Sequence, residues 1–565
     1  MNGAELLLKC LEEQGVDLVF GIPGGVVLPL YNELKKTTIK HILTRHEQGA
    51  AHAADGYARS TGKVGVCFST SGPGATNLVT GLATAFMDSI PVVAISGQVA
   101  KPLLGKDSFQ EADTLGITAP ITKHNYTVRD ANDLPQVIAE AFYIATQGRP
   151  GPVLIDIPKD VFTQEVKASP KGKVRQHIVK KLSKNPIENK QFLKAIETLE
   201  KAQRPLILAG GGVVMGGAHQ LLTQLAVVNE IPVTVTLMGK GVFPPKNPLY
   251  LGMLGMHGTT AANWAVQNCD CLLAIGVRLD DRVTGTLDTF APKAKIIHVD
   301  LDAAELGKNK KVDIPIVGGS FEFLQMAVQN LWGIKHQRKN WLREIKNNAL
   351  DCIAEDTGAL NPQEVFETIN RHIDRDTIIV TDVGQHQMWS ALFLHPEGPR
   401  NFLTSGGLGT MGFGLPAAIG AQMANPTKKV ILITGDGSFQ MNLQELAIVK
   451  QYNLPIKILI MNNGCLGMVR QWQELFFEGN YSQSALEVGP DWDKLAEAYG
   501  INGKKIDSYH EKDKILSNSL KSNDPWLLDI QIDSGANVFP MVPGGNSLDQ
   551  MWGRWGNETQ ISSLG

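Results

Sequence analysis

Residues 429–464 read KVILITGDGSFQMNLQELAIVKQYNLPIKILIMNNG. Two short apolar runs, Lys429–Thr434 and Ile456–Met461, have the unbroken Val/Ile/Leu character of strands buried on both faces of a sheet. Between them Gly435 to Ser438 turns the chain, and Gln440 to Gln451 places its apolar residues at helical spacing. The stretch is one βαβ unit. Such crossovers are right-handed in nearly every case, so the two strands lie side by side and parallel. Asp436 and Asn463, each just past the end of its run, then project from the same carboxyl edge, where open α/β sheets hold their ligands.

A carboxylate, an amide oxygen and nearby backbone carbonyls are hard oxygen ligands of the kind Mg²⁺ takes. The helix N-terminus between them offers free N–H groups to a phosphate. The spacing therefore suits a magnesium–diphosphate site. A chance turn followed by a strand-end asparagine would have the same letters, and this stretch alone leaves both readings open.

Val- and Ile-rich segments alternate with helical patterns through most of the chain, which predicts an α/β fold of doubly wound parallel sheets. At 565 residues the chain exceeds what one hydrophobic core serves. Composition changes at VKASPKGKVRQHIVKKLSKNPIEN (166–189), a basic stretch without apolar period that reads as a linker, and again across the polar 332–360. Three domains are expected, at 1–165, 190–332 and 360–540, with a tail at 541–565. No repeat is visible in the letters.

Bulk properties remove several function classes. A net charge of -3 offers no polybasic surface for nucleic acid or anionic membrane. No apolar run is long enough to span a bilayer. The six cysteines include no CxxC pair, as suits a reducing cytoplasm, and the one-residue gap of Cys269 and Cys271 does not fit zinc. The opening MNGAELLLKCLEEQGVDLVFGIPGG reads as a helix running into a strand and not as a signal, so a soluble cytoplasmic protein is expected.

In the middle region, PLILAGGG (205–212) is a strand ending in Gly210, Gly211 and Gly212, which lets a diphosphate approach the backbone. Met215 stands where a dinucleotide fingerprint has its last glycine, so an ordinary tight turn fits these letters too. Asp300 ends the strand-like IIHVDLD, a suitable place for an acid to hold a ribose.

Further stretches settle which pattern this is: RHEQGAAHAADGYAR (45–59), TSGPGATN (70–77), SFQEAD (108–113), GMLGMHG (252–258), RLDDRVTG (278–285), GQHQMW (384–389), GTMGFGLPAA (409–418) and GMVRQWQELFF (467–477). With GDG and NN they resemble the catalytic-subunit family of acetohydroxyacid (acetolactate) synthase, from Gly3 to about Pro543. The resemblance implies three doubly wound domains that bind, in order, the pyrimidine of thiamine diphosphate, FAD, and the diphosphate with its Mg²⁺. It implies decarboxylation of pyruvate and transfer of the two-carbon unit to a second pyruvate or to 2-oxobutanoate, in branched-chain amino-acid synthesis. A flavin-linked pyruvate oxidase is the alternative.

The resemblance assigns Mg²⁺ to Asp436, Asn463 and the carbonyl of Cys465. It makes Glu47 the catalytic partner of the thiamine pyrimidine, and its small neighbours Gly49, Ala50 and Ala51 would desolvate it. Gly409 and Met411 would grip the pyrimidine, while Gln385, His386, Gly437 and Ser438 would meet the diphosphate. A structural FAD would be held by Arg149, Gly210, Gly211, Gly212 and Asp300. Its further contacts would be Gly255, Met256, His257, Gly258, Arg278, Asp280 and Arg282. Arg278 and Trp472 would also bind the acceptor substrate, with Phe109, Gln110 and Lys159 lining its approach. Two positions depart from the family pattern: Leu279 replaces a Phe and Gly319 an Asp.

The family's sites lie between subunits, so a homodimer or homotetramer is implied in which Glu47 of one copy faces Asp436 of another. A separate small regulatory subunit is implied as well. The tail after Pro543 reads either as a lid anchored by Met551, Trp552 and Trp555 or as a disordered terminus.

Overall fold

In the computed structural model, which describes residues 1–182, 186–331, 338–349, 360–554 and 557–561, the strand Lys429–Gly435 pairs in parallel with Lys457–Asn462. Gly435 lies opposite Met461, so the two strands end together. They belong to a six-stranded, wholly parallel sheet that also contains Thr377–Thr381, Phe402–Leu403, Asn502–Ile506 and Trp526–Gln531. Numbered along the chain, its strands stand in the order 2-1-3-4-6-5. The N-terminal domain has a six-stranded parallel sheet of the same order, built from Leu18–Gly21, Lys40–Leu43, Gly65–Ser69, Val92–Gln98, His124–Thr127 and Val153–Pro158.

The middle sheet differs. Its strands Pro205–Ala209, Val233–Val235, Tyr250–Met253, Cys271–Ile275, Lys295–Asp300 and Ile314–Val317 stand in the order 3-2-1-4-5-6. This is the dinucleotide-binding order, with its switch point between the first and fourth strands. The three parallel α/β sheets are as expected, and the middle one alone has the 3-2-1-4-5-6 order.

The helix Glu47–Thr61 is buried along nearly its whole length against the helix Gly414–Ala424 of the C-terminal domain. Small residues allow the approach: a Cβ on Gly56 would collide with the Ala417 carbonyl. One apolar cluster therefore runs from Ala50, Ala53 and Ala54 through Phe413 and Ile419 to the strands of the C-terminal sheet.

Where the letters show one helix over 440–451, the structure has a helix Asp436–Gln440, a 3-10 turn Leu443–Glu445 and a helix Leu446–Gln451. The break falls at Asn442, whose amide donates to the Gly412 carbonyl at 2.7 Å instead of facing solvent. The basic stretch after Val166 is not a bare linker either. It includes the helix Gln176–Leu182, and Arg175 makes a forked ion pair with buried Glu140 at 2.6 and 2.7 Å. Within 332–360, the helix Lys339–Asn348 packs back on the middle domain. Trp341 donates to the Pro205 carbonyl at 3.0 Å, and Arg338 to the carbonyls of Asn229 and Leu199.

The tail lies on the middle domain. Val542 N–H donates to the Met256 carbonyl at 2.7 Å, Leu548 is fully buried, and Met541 bridges Trp552. Trp555 is outside the described residues. No described helix is long and apolar enough to cross a membrane.

Candidate active site

Asp436 begins a helix at the carboxyl end of its strand, and only 5% of its surface is exposed. Burial pushes its carboxyl up to about 6, and the backbone amides of Asp436, Gly437 and Gly464 partly offset this. Asn463 donates to Gln385 Oε1 at 3.0 Å, and its own Oδ1 accepts the Cys465 N–H at 3.2 Å. Gln385 is held in turn by Gln471 and the Ala536 carbonyl. His386 lies over Gly435, whose missing Cβ leaves room for the ring. Its Nε2 has no hydrogen-bond partner, and burial pushes it down to about 3, so the ring is neutral. Ser438 donates to the Val383 carbonyl at 2.8 Å.

These residues fit a magnesium–diphosphate group. A buried carboxylate and an amide oxygen stand just past the ends of two paired strands, beside a buried imidazole nitrogen that needs a partner. Among the described residues no cluster of three or more His, Cys, Asp or Glu forms another metal site.

A cavity of about 1120 Å³ opens where the three domains meet. Gly211, Gly212 and Asp300 line one part of it, Met256, His257 and Arg278 another, and Gly409, Met411 and Trp472 a third. Asp280, Arg282 and the N-terminal domain's Arg149 complete the predicted residues on its wall. Gly210, Gly255 and Gly258 are not among the lining residues; they form the turns behind them. Gly409 takes φ +68°, which favours glycine, and a Cβ there would meet only Val383 Cγ1, at 3.9 Å.

A flavin dinucleotide fits here. The cavity runs from the glycine turn of a 3-2-1-4-5-6 sheet to the C-terminal domain, and buried His257 has ring nitrogens without a hydrogen-bond partner. Asp300 is raised to about 6 by burial, as suits a carboxyl waiting for a hydroxyl donor. Leu279 is buried in the apolar cluster with Val277 and Phe290. Over Gly319 the Glu322 carboxylate fills the space into which a side chain at 319 would grow.

Arg278 is set by the N-terminal domain, donating to the Met87 carbonyl at 2.6 Å. Arg282 lies over the Trp472 ring at 5.6 Å. Glu47 is not on this cavity wall. It is 9% exposed and accepts the Asn77 amide at 3.0 Å. Phe109, 88% exposed, Gln110 and exposed Lys159 also stand on the N-terminal domain away from the cavity. The structure thus brings the residues expected for the flavin, except the three turn glycines, together with Gly409, Met411 and Trp472 on one cavity, and leaves Glu47, Phe109, Gln110 and Lys159 off it.

Three family descriptions match in this order: thiamine pyrophosphate enzyme, N-terminal TPP binding domain, over 1–117; its central domain over 193–327; its C-terminal TPP binding domain over 382–530. A probable acetolactate synthase large subunit of Methanocaldococcus jannaschii is 50% identical over 97% of this chain and 94% of its own length. The chain belongs to the acetolactate synthase large-subunit family. The acetolactate synthase large subunit of Porphyra purpurea is 48% identical over 98% of this chain and 95% of that one. The acetolactate synthase of Arthrospira platensis is 47% identical over 98% of each. Membership makes this chain a thiamine-diphosphate-dependent transferase of the acetolactate synthase type and sets that reading above the flavin-linked oxidase.

The letters did not show Arg59, Asp88 or Lys240 as part of the site. Arg59 pairs with Asp55 and Asp88 and donates to the Thr404 carbonyl at 2.7 Å, all of it buried. Lys240, buried and pushed down to about 7, donates to the carbonyls of Ala391 and Leu394 at the end of the helix Gln385–Phe393. Arg59 closes the motif at 45–59, which was the available signal; Asp88 and Lys240 had none.

Proposed function

We propose that this chain decarboxylates pyruvate and transfers the two-carbon unit to a second 2-keto acid, pyruvate or 2-oxobutanoate, in the cytoplasm. The observation that carries the proposal is Arg278 in one cavity with Gly409, Met411 and Trp472. A guanidinium fork matches a carboxylate in both geometry and charge, so it can hold the acceptor's carboxylate. An oxidase, whose acceptor is the flavin, has no use for that clamp. Bound thiamine diphosphate supplies the carbon nucleophile and the electron sink for decarboxylation.

The chain's own residues do the rest. Asp436, Asn463 and the Cys465 carbonyl hold Mg²⁺, and Gln385, His386, Gly437 and Ser438 border the diphosphate. Gly409 and Met411 shape the pyrimidine end. The glycine turn, His257 and Asp300 hold an FAD whose role is structural. Trp472, 36% exposed, stands at the cavity mouth and offers the acceptor's alkyl group an apolar face.

Glu47 serves the pyrimidine from a second copy of the chain, in a homodimer or homotetramer. Support comes from its absence from its own chain's cavity and from the outward-facing Phe109 and Lys159, which a second copy would cover. A separate small regulatory subunit accords with relatives that carry the name large subunit.

The test is anaerobic turnover with pyruvate and 2-oxobutanoate in competition, following both products and the flavin absorbance. Acetolactate and acetohydroxybutanoate formed without flavin bleaching support the reading. Stoichiometric bleaching on each turnover overturns it.

A further inference from the structure

Glu445 lies in the C-terminal domain, nine residues after Asp436, and no part of its surface is exposed. Its two carboxyl oxygens accept the backbone N–H of Arg45 at 3.0 and 3.1 Å. Arg45 belongs to the N-terminal domain and stands two residues before Glu47, at the entry to the helix Glu47–Thr61. The His46 ring caps the same helix end, accepting the Gln48 N–H at 3.1 Å. A Cβ on Gly49 would lie 2.5 Å from Glu445 Oε1, so the glycine in RHEQG is what lets the carboxylate reach the helix end. Burial pushes the Glu445 carboxyl up to about 7, while the amides of Arg45 and His46 favour its ionised form.

A fully buried carboxylate is costly unless hydrogen-bonded donors compensate it. Here the compensating donor is a backbone amide of the segment that presents Glu47, and it has no other acceptor among the backbone hydrogen bonds. Acidic groups at a helix N-terminus are favoured by its free N–H groups and dipole. This acid comes from another domain, so it fixes where the helix begins as well as stabilising it.

We propose that Glu445 is a positioning residue for Glu47: by holding the Arg45 amide from across the domain boundary, it sets the place and angle at which Glu47 leaves its helix. The inference rests on the reading of Glu47 as the proton partner of the cofactor. Glu445 itself touches neither cofactor nor substrate. Its loss would leave the fold's shared core of alanines in place and loosen only the helix entry.

The experiment uses the holoenzyme saturated with thiamine diphosphate, Mg²⁺ and FAD, and measures the exchange rate of the cofactor's C2 proton for deuterium by acid quench and NMR. That step depends on Glu47 and precedes any contact with substrate. Glu445→Ala is expected to slow exchange on the order of 10- to 100-fold, as small misplacements of a catalytic group do. Cofactor affinity should stay close to wild type. Glu445→Gln, which keeps one acceptor oxygen for the Arg45 amide, should recover most of the rate, and Gly49→Ala, which pushes the carboxylate away, should imitate the loss. Wild-type exchange in Glu445→Ala overturns the proposal. If that variant does not fold, wild-type exchange in Gly49→Ala does so. Wild-type exchange in Glu47→Gln would overturn the reading of Glu47 instead, so the two failures are told apart.

Discussion

The carboxylate of Asp88 accepts the N–H of Gly407 at 2.7 Å, joining the N-terminal domain to the loop that leads into Gly409 and Met411. Its other oxygen takes the Gly406 N–H at 3.0 Å and the Arg59 guanidinium at 2.9 Å. Asp88→Ala would strand two loop amides and leave buried Arg59 with Asp55 alone. A loss on the order of 3 kcal/mol is expected, since removing one partner of a buried pair leaves an uncompensated charge. Thermal unfolding checks it, and a melting point unchanged within a degree would refute it.

Glu47→Gln should retain the fold and thiamine-diphosphate binding while turnover falls about 10²- to 10⁴-fold. The neutral amide keeps the shape but cannot serve as the proton partner. Steady-state kinetics at saturating cofactor, beside a titration of cofactor affinity, separates the two effects.

Asp436→Ala should weaken thiamine-diphosphate binding at least about tenfold, because the only charged oxygen ligand of the assigned metal set is lost. Calorimetric titration at fixed Mg²⁺ measures this. Unchanged affinity would remove Asp436 from the site.

Trp472→Leu should lower the preference for 2-oxobutanoate over pyruvate while total carboligation is retained. One methylene in an apolar slot is worth ~1–3 kcal/mol, so a change of about tenfold in product ratio is expected. Competition at equal substrate concentrations reads it directly, and an unaltered ratio would place Trp472 outside the acceptor pocket.

Asp156 gives a pH prediction. It is buried under the N-terminal sheet's carboxyl edge, and burial pushes it up to about 7 although Ser96 at 2.6 Å and Gln98 at 3.0 Å donate to it. Its folded-state pKa lies above the unfolded value, so its contribution is full below the unfolded pKa and is lost as pH rises through about 7. Asp156→Asn cannot titrate. The stability difference between pH 5 and pH 8 should therefore shrink by on the order of 2 kcal/mol in the variant. Denaturation midpoints at the two pH values test this, and an equal gap in both proteins would exclude the assignment.

What the letters determined was local. The unbroken apolar runs at 429–434 and 456–461 are strands because only buried parallel strands are apolar on both faces, and the short crossover between them obliges Asp436 and Asn463 to share an edge. The glycine turn at 210–212 and the acid at 300 were legible for the same reason: each sits within a residue or two of a strand end. Strand order was not legible. The N- and C-terminal sheets share the order 2-1-3-4-6-5 without a visible repeat, since any Val, Ile or Leu fills a buried strand position equally well. Glu47 and Glu445 show the remaining limit. In sequence each is an acid in a helical stretch, where solvent exposure is the ordinary outcome. Glu47 is buried against Asn77 and Gly74 of its own domain, and only the packing of the helix Glu47–Thr61 on the C-terminal domain brings Glu445 to the Arg45 amide. That contact joins residues 400 positions apart, and its energy depends on desolvation and on the gap left by Gly49, neither of which exists until the domains close on one another.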